Sequence, residues 1–182
     1  MRPITGIAAA AAVLVASSLA AQRLEAPAID SDGALRMPDD VDEWVHVGTA
    51  LGGDYNAAPF DPARPGTFGI VQMEPTAYRY FLVNGQYADG TMFLLTFYRS
   101  EAKSDPQLQG FVQGEMTARE IHIIDQSRFS EGSAFFVFTT PDATTGSRMP
   151  DGSRCIQCHS AEGDYRATFI QFYPPLREQP RH

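Results

Sequence analysis

The sequence predicts an α+β fold, mainly an antiparallel β-sheet with a few short helices. Three runs at 91–98, 111–124 and 134–140 favour β-strands and follow one another along the chain, and the first and third are apolar and aromatic. Consecutive strands of this kind pair most economically as an antiparallel sheet. The chain has 182 residues, an ordinary size for one domain with a real hydrophobic core.

The N-terminal residues have the composition of an export signal. Residues 1–20 hold one early positive charge, a short apolar run and small residues ending at Ala20, a typical cleavage site. The apolar run is too short and too rich in alanine to span a membrane. We therefore expect a soluble periplasmic protein, with a signal peptide at 1–20, an extended lead-in at 21–38 and one domain at 39–182.

Turn-forming residues divide this domain into short elements. The predicted elements before the first long strand are a helical turn at 41–44 capped by Asp39 and Asp40, an apolar run at 44–51, a loop at 52–66, a strand at 68–73, and a helix that begins at Pro75 and ends at Asn84-Gly85. The later elements are a turn at Asp89-Gly90, the three long strands, a turn-rich connection at 144–153, a short helix, and a segment at 165–173 closed by two prolines.

The short C-terminal helix carries the motif C-x-x-C-H. Cys155 and Cys158 lie on one face of a helical turn, where two thiols are able to add across the two vinyl groups of a haem. His159 follows directly and supplies an imidazole for the iron. The motif predicts one covalently attached haem c. Export agrees with this prediction, because haem is attached to this motif outside the cytoplasm.

Two other uses of the cysteines are less consistent with the sequence. They are the only cysteines in the chain, so they cannot form a larger disulfide framework or a four-cysteine zinc site. A redox-active pair would normally lie in a βαβ setting, which the predicted strands do not provide. A zinc site would need a further ligand from His46, His122 or His182.

The acidic composition restricts the partners. The chain has 22 acidic and 14 basic residues and a net charge of −8, which becomes −9 when the signal peptide with its single arginine is removed. Such a surface repels nucleic acid and anionic lipid. We expect small neutral ligands or a basic redox partner, and neither a nucleic acid nor a membrane.

Several segments, taken in order, resemble the cytochrome P-460 / cytochrome c′-beta family. They are Glu43-Trp44-Val45-His46-Val47-Gly48-Thr49, Asp89-Gly90-Thr91, Gly114-Glu115, Asp125 with Arg128-Phe129, the C-x-x-C-H motif with Ser160-Ala161, and Phe169-Ile170-Gln171-Phe172-Tyr173-Pro174. The resemblance spans residues 42–176. It implies an antiparallel sheet packed with helices, a single haem c, His159 as the proximal ligand, and usually a homodimer.

Members of this family differ at one residue that decides their chemistry. Members that oxidise hydroxylamine tether a lysine to the haem from the strand after the Asp-Gly-Thr turn, and aligning that turn places Leu95 at the lysine position. The same alignment puts Gly69 where these members can carry an arginine. Lys103, the only lysine of the chain, lies in a polar loop predicted at 100–106. The chain is therefore similar to the branch without the cross-link, whose five-coordinate iron lies under an apolar cap and binds nitric oxide or carbon monoxide.

Because side chains alternate between the two sides of a strand, two more residues are expected in this apolar cap. If Leu95 faces the haem, then Phe93 and Phe97 face it as well, because residues two apart share one side of a strand. An apolar wall offers the iron no strong ligand and offers bound oxygen no hydrogen bond. The leading hypothesis is binding, sensing or buffering of nitric oxide, or binding of carbon monoxide, without a dedicated catalytic acid.

Glu120 leaves an enzymatic alternative open. It aligns close to a carboxylate that serves proton transfer in hydroxylamine-oxidising members, and its alternation with Met116 and Ala118 allows it to point inward. Glu120 would then be the proton relay of a hydroxylamine or nitric oxide oxidoreductase. In the other interpretation it is a sheet-edge glutamate paired with Arg119 or Arg128.

A third hypothesis is an electron-transfer cytochrome with a sixth iron ligand. His46, His122 and Met92 are candidates, although no methionine follows His159 as it does in the common electron-transfer class. Met73, Met92 and Met116 are more typical of core packing than of axial ligation. Tyr165 and Tyr173 flank the segment after the motif; ordinary packing is their more typical role, and lining the haem edge or contacting a propionate is the alternative.

Overall fold

In the part of the chain that the structure describes, seven antiparallel strands form one sheet, so the prediction of a mainly antiparallel α+β fold is confirmed. The strands are β1 (Leu35–Arg36), β2 (Val45–Leu51), β3 (Thr67–Met73), β4 (Thr91–Ala102), β5 (Phe111–Ile124), β6 (Ser133–Phe138) and β7 (Thr145–Arg148). Their order across the sheet is β1-β7-β6-β5-β4-β3-β2. From β2 to β7 every strand pairs with the next one in the chain.

The computed structural model describes residues 24–25, 27–52, 59–103 and 109–180. The signal peptide predicted at 1–20 lies outside the described residues, as does His182. The same is true of much of the loop predicted at 52–66.

Three short α-helices lie between and after the strands. They are α1 (Pro75–Asn84), α2 (Arg154–Glu162) and α3 (Pro174–Arg177), with 3₁₀ turns at Val41–Glu43 and Ile170–Phe172. As predicted, Pro75 begins α1 and Gly85, with φ of 65°, follows its end. The Glu74 carboxylate caps α1 by accepting from two backbone N–H groups, a role the sequence did not indicate. Within the described part of the chain, no helix combines the length and apolar character needed to cross a membrane.

Two stretches that the sequence predicted as connections contain strands. β1 lies within the lead-in at 21–38, and β7 lies within the turn-rich connection at 144–153; the two pair with each other. Neither strand shows apolar alternation, because each is short and lies at or next to the edge of the sheet. Leu35 is nevertheless fully buried. Likewise 100–102, expected in a loop, continues strand β4.

The two faces of the sheet carry different side chains. One face, which we call the core face, is made of buried apolar residues that include Trp44, Met92, Leu94, Ile121, Ile123, Phe136 and Phe138. On the opposite face, the site face, cross-strand partners form two rows, Phe93–His122–Phe135 and Leu95–Glu120–Val137. The site face contains titratable residues and is the one that meets the C-terminal helices.

Candidate functional site

Helix α2 presents the two cysteines beside the site face. Cys155 is half-buried and Cys158 is exposed, and both are free thiols. Being three residues apart on a helix, they lie on the same side. Burial first, and then the charge of Glu120, raise the pKa of the Cys155 thiol. Cys155 on α2 and Glu120 on β5 are far apart in the sequence, and the fold brings them near enough for the carboxylate charge to affect the thiol.

His159 is surrounded by aromatic rings. Its ring centre lies 4.6 Å from that of Phe135 on β6 and 4.6 Å from that of Phe169, both at steep angles. The ring of His122 on β5 lies 5.3 Å away, also edge to face. These contacts hold the imidazole in one orientation between α2, the sheet and the segment after the helix.

One hydrogen bond fixes the tautomer of His159. The Nδ1 atom lies 2.8 Å from the backbone oxygen of Ala167. A carbonyl oxygen only accepts, so Nδ1 carries the proton and donates it, which leaves Nε2 with a lone pair. Burial lowers the pKa of His159, and the hydrogen bond to Ala167 offsets this in part. The ring is therefore neutral near pH 7, the form in which histidine binds metals.

The predicted distal residues share one face. Leu95 stands directly opposite Glu120, Phe93 opposite His122, and Phe97 opposite Ala118. Phe93 is buried, whereas Leu95, Phe97 and Glu120 are half-buried. Arg119 and Arg128, the alternative partners of Glu120, donate to backbone carbonyls of Pro141 and Ala143, and of Pro27.

Lys103 lies far from the row Leu95–Glu120–Val137. It follows the end of β4, is exposed, and donates its backbone N–H to the oxygen of Gly110 at 2.9 Å. Lys103 is eight residues beyond Leu95, roughly 25 Å along an extended strand. Its side chain cannot reach the site at Leu95.

The candidate sixth ligands lie in different parts of the fold. His46 is exposed and its Nε2 lies 2.7 Å from the hydroxyl of Thr49. Met92 belongs to the core face. His122 contacts His159, with 5.3 Å between the ring centres.

His122 is also a buried polar residue without a partner at one nitrogen. Its ring stacks on Phe135 at 4.1 Å and 12°. Nε2 is buried and has no hydrogen-bond partner among the described residues. Burial, and then the nearby His159, lower the pKa of His122 well below its ordinary value. This orphaned nitrogen lies next to His159, at the candidate site.

The two tyrosines after the motif pack against other aromatic rings. Tyr165 contacts the ring of Tyr87 at 5.1 Å, and Tyr173 contacts that of Phe93 at 5.9 Å. The sequence did not indicate Ala167 or Tyr87, because a backbone carbonyl and a buried tyrosine leave no motif. Arg166 and Ala167 have positive φ values of 45° and 57°, a conformation that their residue types do not predict.

The arrangement fits a haem. Two thiols lie on one side of α2, an oriented neutral imidazole follows them, and an apolar face adjoins them. No cluster of three or more metal-binding side chains occurs in 24–25, 27–52, 59–103 and 109–180. A haem iron needs none, because one histidine and the macrocycle suffice to hold it. A surface cavity of about 620 Å³ near Leu24, Arg36 and Glu74 contains none of the motif residues.

Comparison with known proteins agrees with this geometry. The family described as Cytochrome P460 matches residues 38–170, well over half of the chain. No curated protein matches the sequence. Cytochromes are haem proteins, and the surroundings of His159 suit that group. The chain belongs to the cytochrome P460 family.

Proposed function

We propose that the protein is an exported cytochrome with one covalent haem c that binds nitric oxide or carbon monoxide in an apolar pocket. One observation carries the choice of function within the family. Leu95 stands opposite Glu120 on the site face, while Lys103, the only lysine in the sequence, follows the far end of the same strand. When bound, the haem supplies an iron that takes a diatomic gas as ligand.

Three residues of α2 would hold the group. The thiols of Cys155 and Cys158 each add S–H across a vinyl double bond, giving two thioethers and consuming no other reactant. His159 offers Nε2 to the iron, because Nδ1 is already engaged with Ala167. The steep contacts of Phe135 and Phe169 keep the imidazole from rotating.

The apolar residues of the site face determine which ligands enter. Phe93, Leu95 and Phe97 share that face and carry no hydrogen-bond donor. They exclude water and leave anions and peroxide without a stabilising partner. Neutral diatomic gases need no such partner, so they are the ligands that this wall favours.

An absorption spectrum of the periplasmically expressed protein tests the proposal. Oxidised and reduced samples are recorded with and without nitric oxide. We expect a high-spin ferrous haem c that shifts to a five-coordinate nitrosyl on addition of nitric oxide. A low-spin ferrous spectrum unmoved by the gas would overturn the gas-binding function.

A substitution at Leu95 tests the position on which the choice rests. Leu95→Lys places an amine where the cross-linking members have one, and oxidant treatment should then join it to the haem. Mass spectrometry would detect a haem-bearing peptide that links residue 95 to 155–159. Leu95→Gln is the matched control and should form no link. Absence of the link in the lysine variant would contradict the alignment.

Glu120 favours a second candidate, a hydroxylamine or nitric oxide oxidoreductase. It lies opposite Leu95, and its charge is felt by the Cys155 thiol. A carboxylate there is placed to relay protons. Steady hydroxylamine-dependent reduction of an electron acceptor, lost in Glu120→Gln, would establish this function. Glu115→Gln, an exposed glutamate on the same strand that pairs with Arg99, is the control.

A further inference from the structure

The carbonyl that accepts from His159 lies in an unusual piece of backbone. Arg166 and Ala167 both have positive φ, at 45° and 57°. Non-glycine residues avoid this conformation, and two in succession persist only where the surroundings hold them. The residues that hold this turn therefore decide where the Ala167 oxygen lies.

The side chain of Arg166 anchors the turn from outside. Its Nη1 donates to the backbone oxygen of Tyr87 at 2.8 Å. Its Nη2 lies 3.8 Å from a carboxylate oxygen of Asp89, and about three quarters of each of these two side chains is buried. The guanidinium thus joins the turn to the connection between α1 and β4.

Thr168 anchors the turn from inside. Its hydroxyl donates to the backbone oxygen of Tyr165 at 2.7 Å, so its single proton is used there. The hydroxyl of Tyr87, 3.1 Å from the Thr168 hydroxyl, must then be the donor of that second bond. Tyr87 is 3 % exposed, and its ring packs between Phe81 and Phe93.

The end of α2 is in direct contact with the same turn. A Cβ at Gly163 would lie 2.4 Å from the backbone oxygen of His159 and 3.0 Å from the carbonyl carbon of Ala167. Only glycine permits this approach. The helix that carries the ligand and the turn that carries its hydrogen-bond acceptor are therefore positioned against each other.

We propose that Tyr87 and Arg166 are positioning residues that hold the Ala167 oxygen on Nδ1 of His159 and so set the strength with which Nε2 binds the haem iron. This inference rests on the proposed haem site. A hydrogen bond at one imidazole nitrogen makes the other a stronger electron donor. Loosening the turn weakens that bond and, with it, the iron–histidine bond.

The test uses the holoprotein with Tyr87→Phe, which removes one hydroxyl and keeps the ring. Tyr80→Phe, a half-buried tyrosine on α1, is the matched control. We expect all proteins to retain covalent haem by the pyridine haemochrome assay. In Tyr87→Phe the iron–histidine stretching frequency should fall. The midpoint potential should rise by up to about 59 mV, which corresponds to a tenfold greater loss of histidine affinity for ferric iron than for ferrous iron.

Arg166→Gln provides a second variant, needed if Tyr87→Phe does not fold. It removes the bond to the Tyr87 carbonyl and the ion pair with Asp89, and should move frequency and potential in the same directions. A purely structural role would lower stability and leave both values unchanged, which overturns the inference and leaves the haem site standing. A wild-type protein without covalent haem would overturn the proposed function, and this inference with it.

Discussion

The core face and the site face are built from alternate residues of the same three strands, yet their side chains differ in polarity and exposure. The core-face row Leu94–Ile121–Phe136 is almost wholly buried. One residue along each strand, the row Leu95–Glu120–Val137 is half-buried and contains a carboxylate. A one-residue slip in register would exchange these rows. A single position along each strand therefore separates a buried apolar row from a half-buried row that contains a carboxylate.

The largest effect is expected on the core face. Phe136→Ala removes a fully buried ring, which should lower the free energy of unfolding by about 3–5 kcal/mol. Urea unfolding measures this change. Phe60→Ala, which truncates a ring that is 62 % exposed, is the control and should stay within about 0.5 kcal/mol. Equal midpoints for the two variants would contradict the assignment of the core.

A smaller effect is expected where α2 meets the turn behind the site. Gly163→Ala forces its Cβ against backbone atoms of His159 and Ala167, so it should destabilise the protein by about 1–3 kcal/mol. Elsewhere a Gly→Ala change at ordinary φ often stabilises a protein by about 0.4–1 kcal/mol. Thermal unfolding decides the sign, and an increase in melting temperature would refute the close contact.

The buried imidazole of the site face should make stability depend on pH. The pKa of His122 is lowered in the folded protein from its usual value of 6.5. As pH falls below 6.5 the unfolded chain takes up a proton that the folded protein does not, so stability is lost, by at most about 1.4 kcal/mol per pH unit.

His122→Phe should flatten this loss while keeping an aromatic ring on Phe135. His159, which also lowers the pKa of His122, is present in both proteins. Urea unfolding at pH 7.5 and pH 5 measures the two slopes. If both proteins lose the same stability between these pH values, His122 does not carry the effect.

The smallest effect is expected at Gly69, in the half-buried part of the site face. A Cβ there would lie 3.3 Å from Cδ1 of Leu95, the end of a flexible side chain. Gly69→Ala should therefore change stability by no more than about 0.5 kcal/mol. Gly48→Ala, whose Cβ would come within 2.8 Å of the ring of Tyr173, should cost more. Chemical unfolding measures both changes, and a larger loss of stability in Gly69→Ala than in Gly48→Ala would contradict the looser packing at Gly69.

The sequence indicated the central strands well, because long runs rich in apolar residues, separated by turn-forming residues, have few alternatives. The shared face of Phe93, Leu95 and Phe97 followed from the two-residue period of a strand, and family membership, predicted from ordered segments, is confirmed over 38–170. Attachment of haem c at Cys155 and Cys158 stays a prediction.

The remaining features of the fold and site leave little trace in sequence. β1 and β7 stabilise each other through pairing across the chain and lack any apolar pattern. The hydrogen bond of His159 depends on a backbone oxygen at Ala167, in a turn without glycine, asparagine or proline. Contacts made by the main chain depend on tertiary structure, so residue types alone could not reveal them.

The pairing of β1 with β7 has a consequence for the order of folding. The strands from β2 to β7 join neighbours in the chain, whereas Leu35 must find Gly146 across more than a hundred residues. Closing so long a segment costs more chain entropy than forming a hairpin, so β1 is expected to dock after the meander has formed. Until then the outer edge of β7 is open to strands of other chains. Once docked, the few residues around Leu35 cover this edge and protect the protein against aggregation.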